Sequence, residues 1–199
     1  MLLSQDEARF PMVPTLQATL GVKGHRPKVG TRDCKDLLYV FAVVNLVSAA
    51  VHSNTLESPK GAKKTTGKSK TRRMQEAFAN HLRHVGRAYA PQQHKEVVLL
   101  IDNAPWHRGQ PIDEALAENP HLTFKRLPSY SPQLNPIERF WKVLRRRATH
   151  NRLFDTLADL KRSLRANLSY FQTVRGRVKT LLVSRRKQKK ANQTASPSV

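Results

Sequence analysis

An unbroken apolar run is the feature that most constrains the fold of this chain. Residues Val97–Ile101 read VVLLI, and the polar stretch DNAPWHRGQ follows directly. Five consecutive apolar residues with polar neighbours are typical of a strand whose two faces are both covered by helices. Because a sheet with helices on both faces defines the α/β class, this run predicts an α/β protein.

Other segments supply the remaining elements. The apolar stretch Leu37–Val51 predicts two adjacent strands that turn near residues 45–48. Residues 74–89 repeat apolar side chains at helical spacing until Pro91 ends the pattern. Further strands are predicted at residues 2–5 and 122–126, and further helices near residues 112–118, from residue 137 and from about residue 155. This order predicts a mixed sheet flanked by helices.

The charge of the chain indicates its partner. There are 36 Lys and Arg residues against 14 Asp and Glu, which gives a formal net charge of +22. Such an excess favours a polyanionic partner, with nucleic acid ahead of an anionic membrane surface. The longest apolar run is shorter than a membrane span and no secretion signal opens the chain, so we expect no membrane association and a cytoplasmic, nucleoid-associated protein. Cys34 stands alone, which excludes an internal disulfide and fits a reducing compartment.

Two basic clusters are candidates for contact with DNA phosphates. Residues 58–73 hold seven Lys and Arg among Ser, Thr and Gly, which predicts a mobile, solvated loop. The alternative to DNA contact by this loop is that it serves only as a plain flexible linker. The second cluster follows the helix start at residue 137, where solvated helix surface is the alternative. The candidate phosphate-binding residues are Lys63, Lys64, Lys68, Lys70, Arg72, Arg73, Arg145, Arg146 and Arg147.

Three carboxylates come from separate predicted elements. Asp102 follows the apolar strand, Glu138 lies in the first turn of a helix, and Asp6 follows the N-terminal strand with Glu7 beside it as a rival. Ligands of such sheets bind beyond the carboxyl ends of strands. Carboxylates gathered at one point repel unless cations hold them, and oxygen ligands favour Mg²⁺ or Mn²⁺. In so basic a protein, the substrate of such cations would be a phosphodiester.

Each carboxylate also has a purely structural interpretation. Asp102 could close its strand as an Asx turn. Glu138 could complete a capping box, with Asn135 as the N-cap and Pro136 at the first helical position. Asp6 could be a solvated residue near a terminus. The spacing of the residues leaves both kinds of interpretation open.

Two neighbours of Asp102 are candidate supporting residues. His107 could orient a phosphate or one of the carboxylates, and a turn histidine bonded to backbone is the alternative. Asn103, directly after Asp102, is the second candidate.

The stretch LLIDNAPWH followed by LPSYSPQLNPIERFW resembles the catalytic domain of DDE transposases from bacterial insertion sequences related to the mariner superfamily. The resemblance covers roughly residues 2–168 and implies an RNase H-like fold. It implies that Asp6, Asp102 and Glu138 hold two Mg²⁺ or Mn²⁺ ions, and it selects Asp6 over Glu7. It further implies cutting of DNA at transposon ends, followed by joining of the freed 3′ end to target DNA.

The same resemblance sets expectations for organisation and partners. We expect a catalytic domain over residues 1–170 and a basic C-terminal segment with a disordered tail over residues 171–199, without the N-terminal helix-turn-helix module that such enzymes ordinarily carry. The expected partners are transposon-end and target DNA, a second copy in a homodimer or larger synaptic oligomer, and a separately encoded helix-turn-helix protein. Two alternatives remain: a truncated, non-catalytic DNA-binding fragment that regulates or partners a full-length transposase, and a structure-specific nuclease that does not join ends.

Overall fold

Five strands form one mixed sheet in a computed structural model that describes residues 1–25, 27–60, 65–129 and 131–182. The strands are β1 (Leu2–Pro11), β2 (Leu37–Asn45), β3 (Val51–Ser58), β4 (Val97–Ile101) and β5 (Leu122–Arg126), in the spatial order β3-β2-β1-β4-β5. β1, β2 and β3 pair antiparallel, and β4 is parallel to both β1 and β5. β1 is therefore the central strand of the sheet.

Helices cover both faces of this sheet. They are α1 (Lys70–Ala88), α2 (Gln110–Ala117), α3 (Ile137–Ala148), α4 (Leu157–Thr173) and α5 (Arg175–Leu182). All nine residues of β2 are buried: its even-numbered side chains pack in a core with α3, α4 and α5, and its odd-numbered side chains in a core with α1 and α2. The predicted mixed sheet flanked by helices is confirmed. No helix in the described ranges is both long and apolar enough to cross a membrane.

Side-chain caps fix the starts of two helices. Ser69 accepts a hydrogen bond from the Arg72 N–H at the start of α1. Thr156 and Asp159 exchange reciprocal hydrogen bonds at the start of α4, forming a capping box. Each cap satisfies backbone N–H groups that have no partner within the helix.

The strands near the N-terminus are longer than predicted. β1 continues to Pro11 because it pairs with β2 along its whole length, so Asp6 lies inside the strand and not after it. β3 occupies the polar stretch Val51–Ser58, where pairing with β2 outweighs the weak apolar pattern.

Two predicted boundaries are also wrong. The predicted mobile loop of residues 58–73 gives way to α1 at Lys70, so Lys70, Arg72 and Arg73 lie in the first turn of a helix. The basic C-terminal segment predicted to lie outside the catalytic domain from residue 171 instead contributes to the folded core, because Phe171 packs on Phe140 of α3 and Val178 of α5 is fully buried in the same core. Residues 183–199 lie outside the described part of the chain.

Candidate active site

The register of two parallel strands places two carboxylates side by side. β1 pairs with β4 through Leu2–Val98, Leu3–Leu99 and Ser4–Leu100. Extending this register by two residues puts Asp6 level with Asp102, at the point where β4 ends and its chain leaves the sheet. β1 continues past that point, paired with β2 on its other side. Asp6 is therefore held within a paired strand, next to the gap that β4 leaves in the sheet when its chain turns away.

The three predicted carboxylates line one cleft. Its volume is about 430 Å³, and Asp6, Asp102 and Glu138 all contribute to its wall. Asn103 lies in the same wall and donates a hydrogen bond of 2.9 Å from Nδ2 to the backbone oxygen of Leu127. The other lining residues are Ala104, which follows β4, and residues of the segment between β5 and α3: Leu127, Pro128, Ser129, Ser131 and Asn135.

A buried hydrogen-bond network attaches the start of α3 to β1. The Ser4 hydroxyl donates to Asn135 Oδ1 and accepts a bond of 3.3 Å from the Ile137 N–H, and Asn135 Nδ2 donates to the Gln5 carbonyl at 3.1 Å. Ser4 and Asn135 are both buried. Since Glu138 follows Ile137, this network fixes the position of Glu138 relative to the strand that carries Asp6.

The capping-box interpretation of Glu138 is wrong. α3 begins at Ile137 without a side-chain cap, because Asn135 directs its amide to β1 instead of to the helix. One of the unpaired N–H groups of the helix start is satisfied by Ser4 from the neighbouring strand.

Burial and charge strongly perturb the Asp6 carboxyl. Burial, together with the negative charges of Glu7 and Glu138, raises the pKa of Asp6 from its usual 3.8 to about 8. Trp141 opposes this shift by donating a hydrogen bond of 3.0 Å from Nε1 to Asp6 Oδ2. Trp141 is buried in the core, and its helical spacing from Glu138 is the only signal in the sequence of its contact with Asp6.

Asp102 is held by two donors on the same oxygen. The Ala104 N–H lies 2.9 Å from Oδ1 and His107 Nδ1 lies 3.0 Å from it. Nδ1 also lies 3.3 Å from the backbone oxygen of Asp102, so His107 contacts both the backbone and a carboxylate of the cleft. The hydrogen bond from His107 is the main reason that the pKa of Asp102 is lowered. The Asx-turn interpretation and the place of Asp102 in the cleft are therefore compatible, because its side chain closes a turn and is still half exposed to the cleft.

His107 joins the half-exposed Asp102 to a second carboxylate, which is buried. Its Nε2 lies 2.8 Å from Oε1 of Glu7, and both side chains are almost fully buried. Burial alone would lower the pKa of His107, but Glu7 and Asp102 outweigh burial and raise it to about 10. No pattern in the sequence indicates this role of Glu7. Strand alternation accounts for it, because consecutive side chains point to opposite faces and Glu7 faces away from Asp6.

The donor set suits a hard divalent cation, although no closed metal site is formed. Among the described residues, no three Asp, Glu, His or Cys side chains are gathered tightly enough to hold one ion. Nevertheless, the cleft offers three carboxylates, and the raised pKa of Asp6 shows that negative charge is disfavoured there without a counter-charge. Carboxylate oxygens are the ligands that Mg²⁺ and Mn²⁺ prefer, so the residues present fit such ions.

Most of the candidate DNA-binding residues have partners within the chain. Lys68 and Arg72 pair with Glu76, Lys70 lies over the Tyr39 ring, and Arg73 donates to Ser58. Arg145 lies over the Phe10 ring, Arg147 lies 4.2 Å from the centre of the Tyr170 ring, and Arg146 is exposed. Lys63 and Lys64 lie outside the described residues. Contact of these residues with DNA stays a prediction.

Solved structures of the Mos1 transposase share the fold. A pre-cleavage Mos1 transpososome matches with a TM-score of 0.60 at 17% identity, covering 100% of this chain and 57% of that chain. The catalytic domain of the Mos1 mariner transposase matches with a TM-score of 0.53 at 17% identity, covering 91% of this chain and 78% of that chain. These likenesses confirm the predicted RNase H-like fold.

Two relatives are similar in sequence. The 39 kDa uncharacterized protein of insertion element IS630 from Shigella sonnei is 25% identical over 161 residues, which make up 81% of this chain and 42% of that protein. The uncharacterized protein y4pE/y4sA of Sinorhizobium fredii is 34% identical over 85 residues, or 43% of this chain and 58% of that protein. The chain thus matches about half the length of these relatives.

A family model extends over most of the chain. The model described as DDE superfamily endonuclease matches residues 1–161, a range that contains all three carboxylates of the cleft and the elements that carry them. The chain belongs to the DDE superfamily of endonucleases.

Proposed function

We propose that this chain is the catalytic domain of a transposase that cuts DNA at the ends of a mobile element and joins the freed 3′ ends to target DNA. The observation that carries the proposal is the shared cleft of Asp6, Asp102 and Glu138, three carboxylates delivered by β1, β4 and α3 in a member of a DDE endonuclease family. The similarity to an insertion-element protein and to the Mos1 mariner transposase supports the mobile-element assignment.

The three carboxylates would hold two divalent cations, Mg²⁺ or Mn²⁺. Structures of the related Mos1 paired-end complex exist with each of these metals, which supports the choice of ion. Such ions, when bound, activate the attacking oxygen and stabilise the leaving oxygen at a phosphodiester. The residues of the chain supply the rest: β1 and β4 keep Asp6 and Asp102 level, and the Ser4–Asn135 network keeps Glu138 beside them.

The partners follow from the same proposal. The substrate is DNA, and the net charge of +22 supplies the attraction to its phosphates. Two transposon ends would be brought together by a homodimer or a larger oligomer, as the paired-end assemblies of Mos1 suggest. A helix-turn-helix module, in the same longer protein or on a separate chain, would select the end sequence.

The test is nicking of supercoiled plasmid at low salt, with Mg²⁺ or Mn²⁺ and with a chelator as the metal-free control. We expect metal-dependent nicking by the wild-type chain and its loss in Asp6→Asn, Asp102→Asn and Glu138→Gln. The matched control is Asp113→Asn, which removes the same charge from the exposed face of α2 and should nick as the wild type does. Covalent joining of a supplied 3′ end distinguishes a transposase from a nuclease that does not join ends.

A non-catalytic DNA-binding fragment is the second candidate, because the large positive charge alone accounts for DNA binding. This candidate predicts plasmid binding without nicking under every metal condition. It also predicts that the three carboxylate variants bind DNA no differently from the Asp113→Asn control. Nicking that survives in all three variants would contradict the proposed cleft.

A further inference from the structure

Glu7 and His107 form a buried ion pair behind the catalytic cleft. Their side chains are 5% and 0% exposed, and 2.8 Å separates Glu7 Oε1 from His107 Nε2. Gln5 Nε2 donates to the same Glu7 oxygen at 3.0 Å, so the carboxylate has partners from two sides. Glu7 does not line the cleft, although its sequence neighbour Asp6 does.

The other nitrogen of His107 reaches the cleft carboxylate Asp102. Nδ1 lies 3.0 Å from Asp102 Oδ1, the oxygen that also accepts the Ala104 N–H, and 3.3 Å from the backbone oxygen of Asp102. Because carboxylates face both of its nitrogens, the ring acts as a donor on both sides. Two donors on Oδ1 leave Oδ2 as the oxygen of Asp102 available to a ligand in the cleft.

The packing around His107 leaves its ring little freedom. The ring lies 4.4 Å from the centre of the Phe78 ring on α1, and the His107 carbonyl accepts a hydrogen bond of 3.0 Å from Arg126 on β5. The orientation of the imidazole is thus set by α1, β1 and β5 together. A histidine whose ring is fixed in this way also fixes the orientation of the carboxylate to which it is hydrogen-bonded.

Stability is a poor explanation for the pair. A buried ion pair rarely contributes more stability than apolar side chains of similar size, because both charges must be removed from water. Apolar side chains already surround this position, so an apolar pair would extend the core formed by Phe78 and its neighbours. What an apolar pair would lack is a hydrogen bond to Asp102.

We propose that Glu7 is a positioning residue, which acts through His107 from the opposite face of the sheet to hold the Asp102 carboxylate in its metal-binding orientation. This inference rests on the proposed function, because it gives Asp102 the role of a metal ligand. Glu7 and His107 touch neither the ion nor the DNA in this arrangement.

The test measures Mn²⁺ binding by the full chain without DNA, from the electron paramagnetic resonance signal of free Mn²⁺. The variants are Glu7→Gln and His107→Gln, both of which keep a polar side chain of similar length. We expect each to raise the apparent Kd for Mn²⁺ about tenfold or more, which is the usual effect of losing a group that orients a metal ligand. Glu57→Gln is the matched control, because it removes an ion-paired carboxylate from β3, far from the cleft, and should leave the Kd unchanged.

A double variant separates positioning from general damage. In the Asp102→Asn background, Glu7→Gln should cause no further loss of Mn²⁺ affinity, since its route to the metal is already removed. Thermal melting accompanies each titration. A merely structural role would lower the melting temperature and leave the Kd unchanged at temperatures below both transitions. If Glu7→Gln does not fold, the comparison of His107→Gln with wild type decides the question.

The two proposals fail in different ways. If the wild type binds Mn²⁺ through Asp102, and folded Glu7→Gln and His107→Gln bind it equally well, the positioning role of Glu7 is wrong and the proposed function stands. If wild-type binding of Mn²⁺ does not depend on Asp102, the metal site of the proposed function is wrong, and the role of Glu7 falls with it.

Discussion

The pKa of Asp6 is subject to opposing effects. Its carboxyl group is buried beside two other acidic side chains, and these surroundings raise its pKa to about 8. The hydrogen bond from Trp141 favours the ionised form, but it does not cancel the effect of burial. Without a cation, the folded protein therefore holds a proton on Asp6 near neutral pH, whereas the unfolded chain does not.

This difference makes Asp6 a destabilising residue in the metal-free protein. Between pH 3.8 and about 8, Asp6 is protonated in the folded state and ionised in the unfolded state. The free energy of unfolding therefore falls as the pH rises through this range. We predict that Asp6→Asn, in the presence of a chelator, raises the free energy of unfolding at about pH 7 by roughly 1 to 4 kcal/mol, at about 1.4 kcal/mol per pKa unit. Denaturant titration measures the difference.

The pH dependence provides the internal control for Asp6→Asn. Near pH 4 both forms of the protein carry an uncharged side chain at this position, so their stabilities should converge. Saturating Mn²⁺ should also reduce the difference in free energy of unfolding between Asp6→Asn and wild type, because the ion stabilises only the wild type. A variant that is less stable than wild type at both pH values would contradict the assignment of the raised pKa.

At the scale of elements, α1 contains a second perturbed group, His81, which is fully buried. Its Nδ1 lies 2.7 Å from Asn54 Oδ1 on β3. Burial, with smaller effects from His84 and His52, lowers the pKa of His81 to about 3. α1 is therefore attached to the edge of the sheet by a histidine that stays neutral in the folded state.

Acid should loosen this attachment. Because the pKa of His81 is 6.5 in the unfolded chain and about 3 in the folded chain, its contribution to stability is present above pH 6.5 and declines as the pH falls below it. We predict that wild type loses stability relative to His81→Phe by up to about 1.4 kcal/mol per pH unit in that range. Denaturant titrations at a series of pH values test this, and parallel curves for the two proteins would refute it.

Elements were predictable where the pattern was local. β4 and β5 have the predicted bounds, and α1 and α3 carry the predicted apolar faces, because runs and helical spacing are properties of the segment itself. The extension of β3 beyond Val51 and the end of β1 were missed, since their pairing with β2 decides the conformation of polar sequence. α5 was missed because one buried side chain, Val178, anchors an otherwise basic segment.

The same distinction applies to the site. Asp102 and Glu138 could be found from a motif and its position after a strand or at a helix start. The contacts that position the three carboxylates could not be found in this way. Trp141 bonds to Asp6, Ser4 to the Ile137 N–H next to Glu138, and Glu7 to His107, and these contacts depend on the alternation of β1 and the packing of α3. The residues of these pairs are 100 to 135 positions apart in the sequence, so no local pattern can predict their contacts.

The overall positive charge of the protein should dominate its DNA binding. With a net charge of +22, affinity should fall steeply as salt rises, in proportion to the number of phosphates contacted. We predict that Arg146→Gln, at an exposed position on α3, lowers the slope of log affinity against log salt by about 1 while leaving thermal stability unchanged. Fluorescence anisotropy with labelled DNA over a salt series measures the slope.

Arg147→Gln is the matched variant for that experiment. Arg147 lies over the Tyr170 ring and donates to Asn167, so its loss should weaken the packing of α3 on α4 and lower the melting temperature. An unchanged slope for Arg146→Gln would place the DNA path away from this end of α3.

The central position of β1 has a consequence for folding. β1 is the first strand of the described chain, yet the amino group of Met1 binds the carbonyl of Glu96, a contact across 95 residues, and the network on Ser4 needs Asn135. Contacts between such distant segments form slowly, because a long loop must close first. The early strands β1, β2 and β3 can pair as an antiparallel unit while the cleft is still missing two of its walls. During synthesis, the acidic cleft is therefore a late product of folding, completed only when α3 docks.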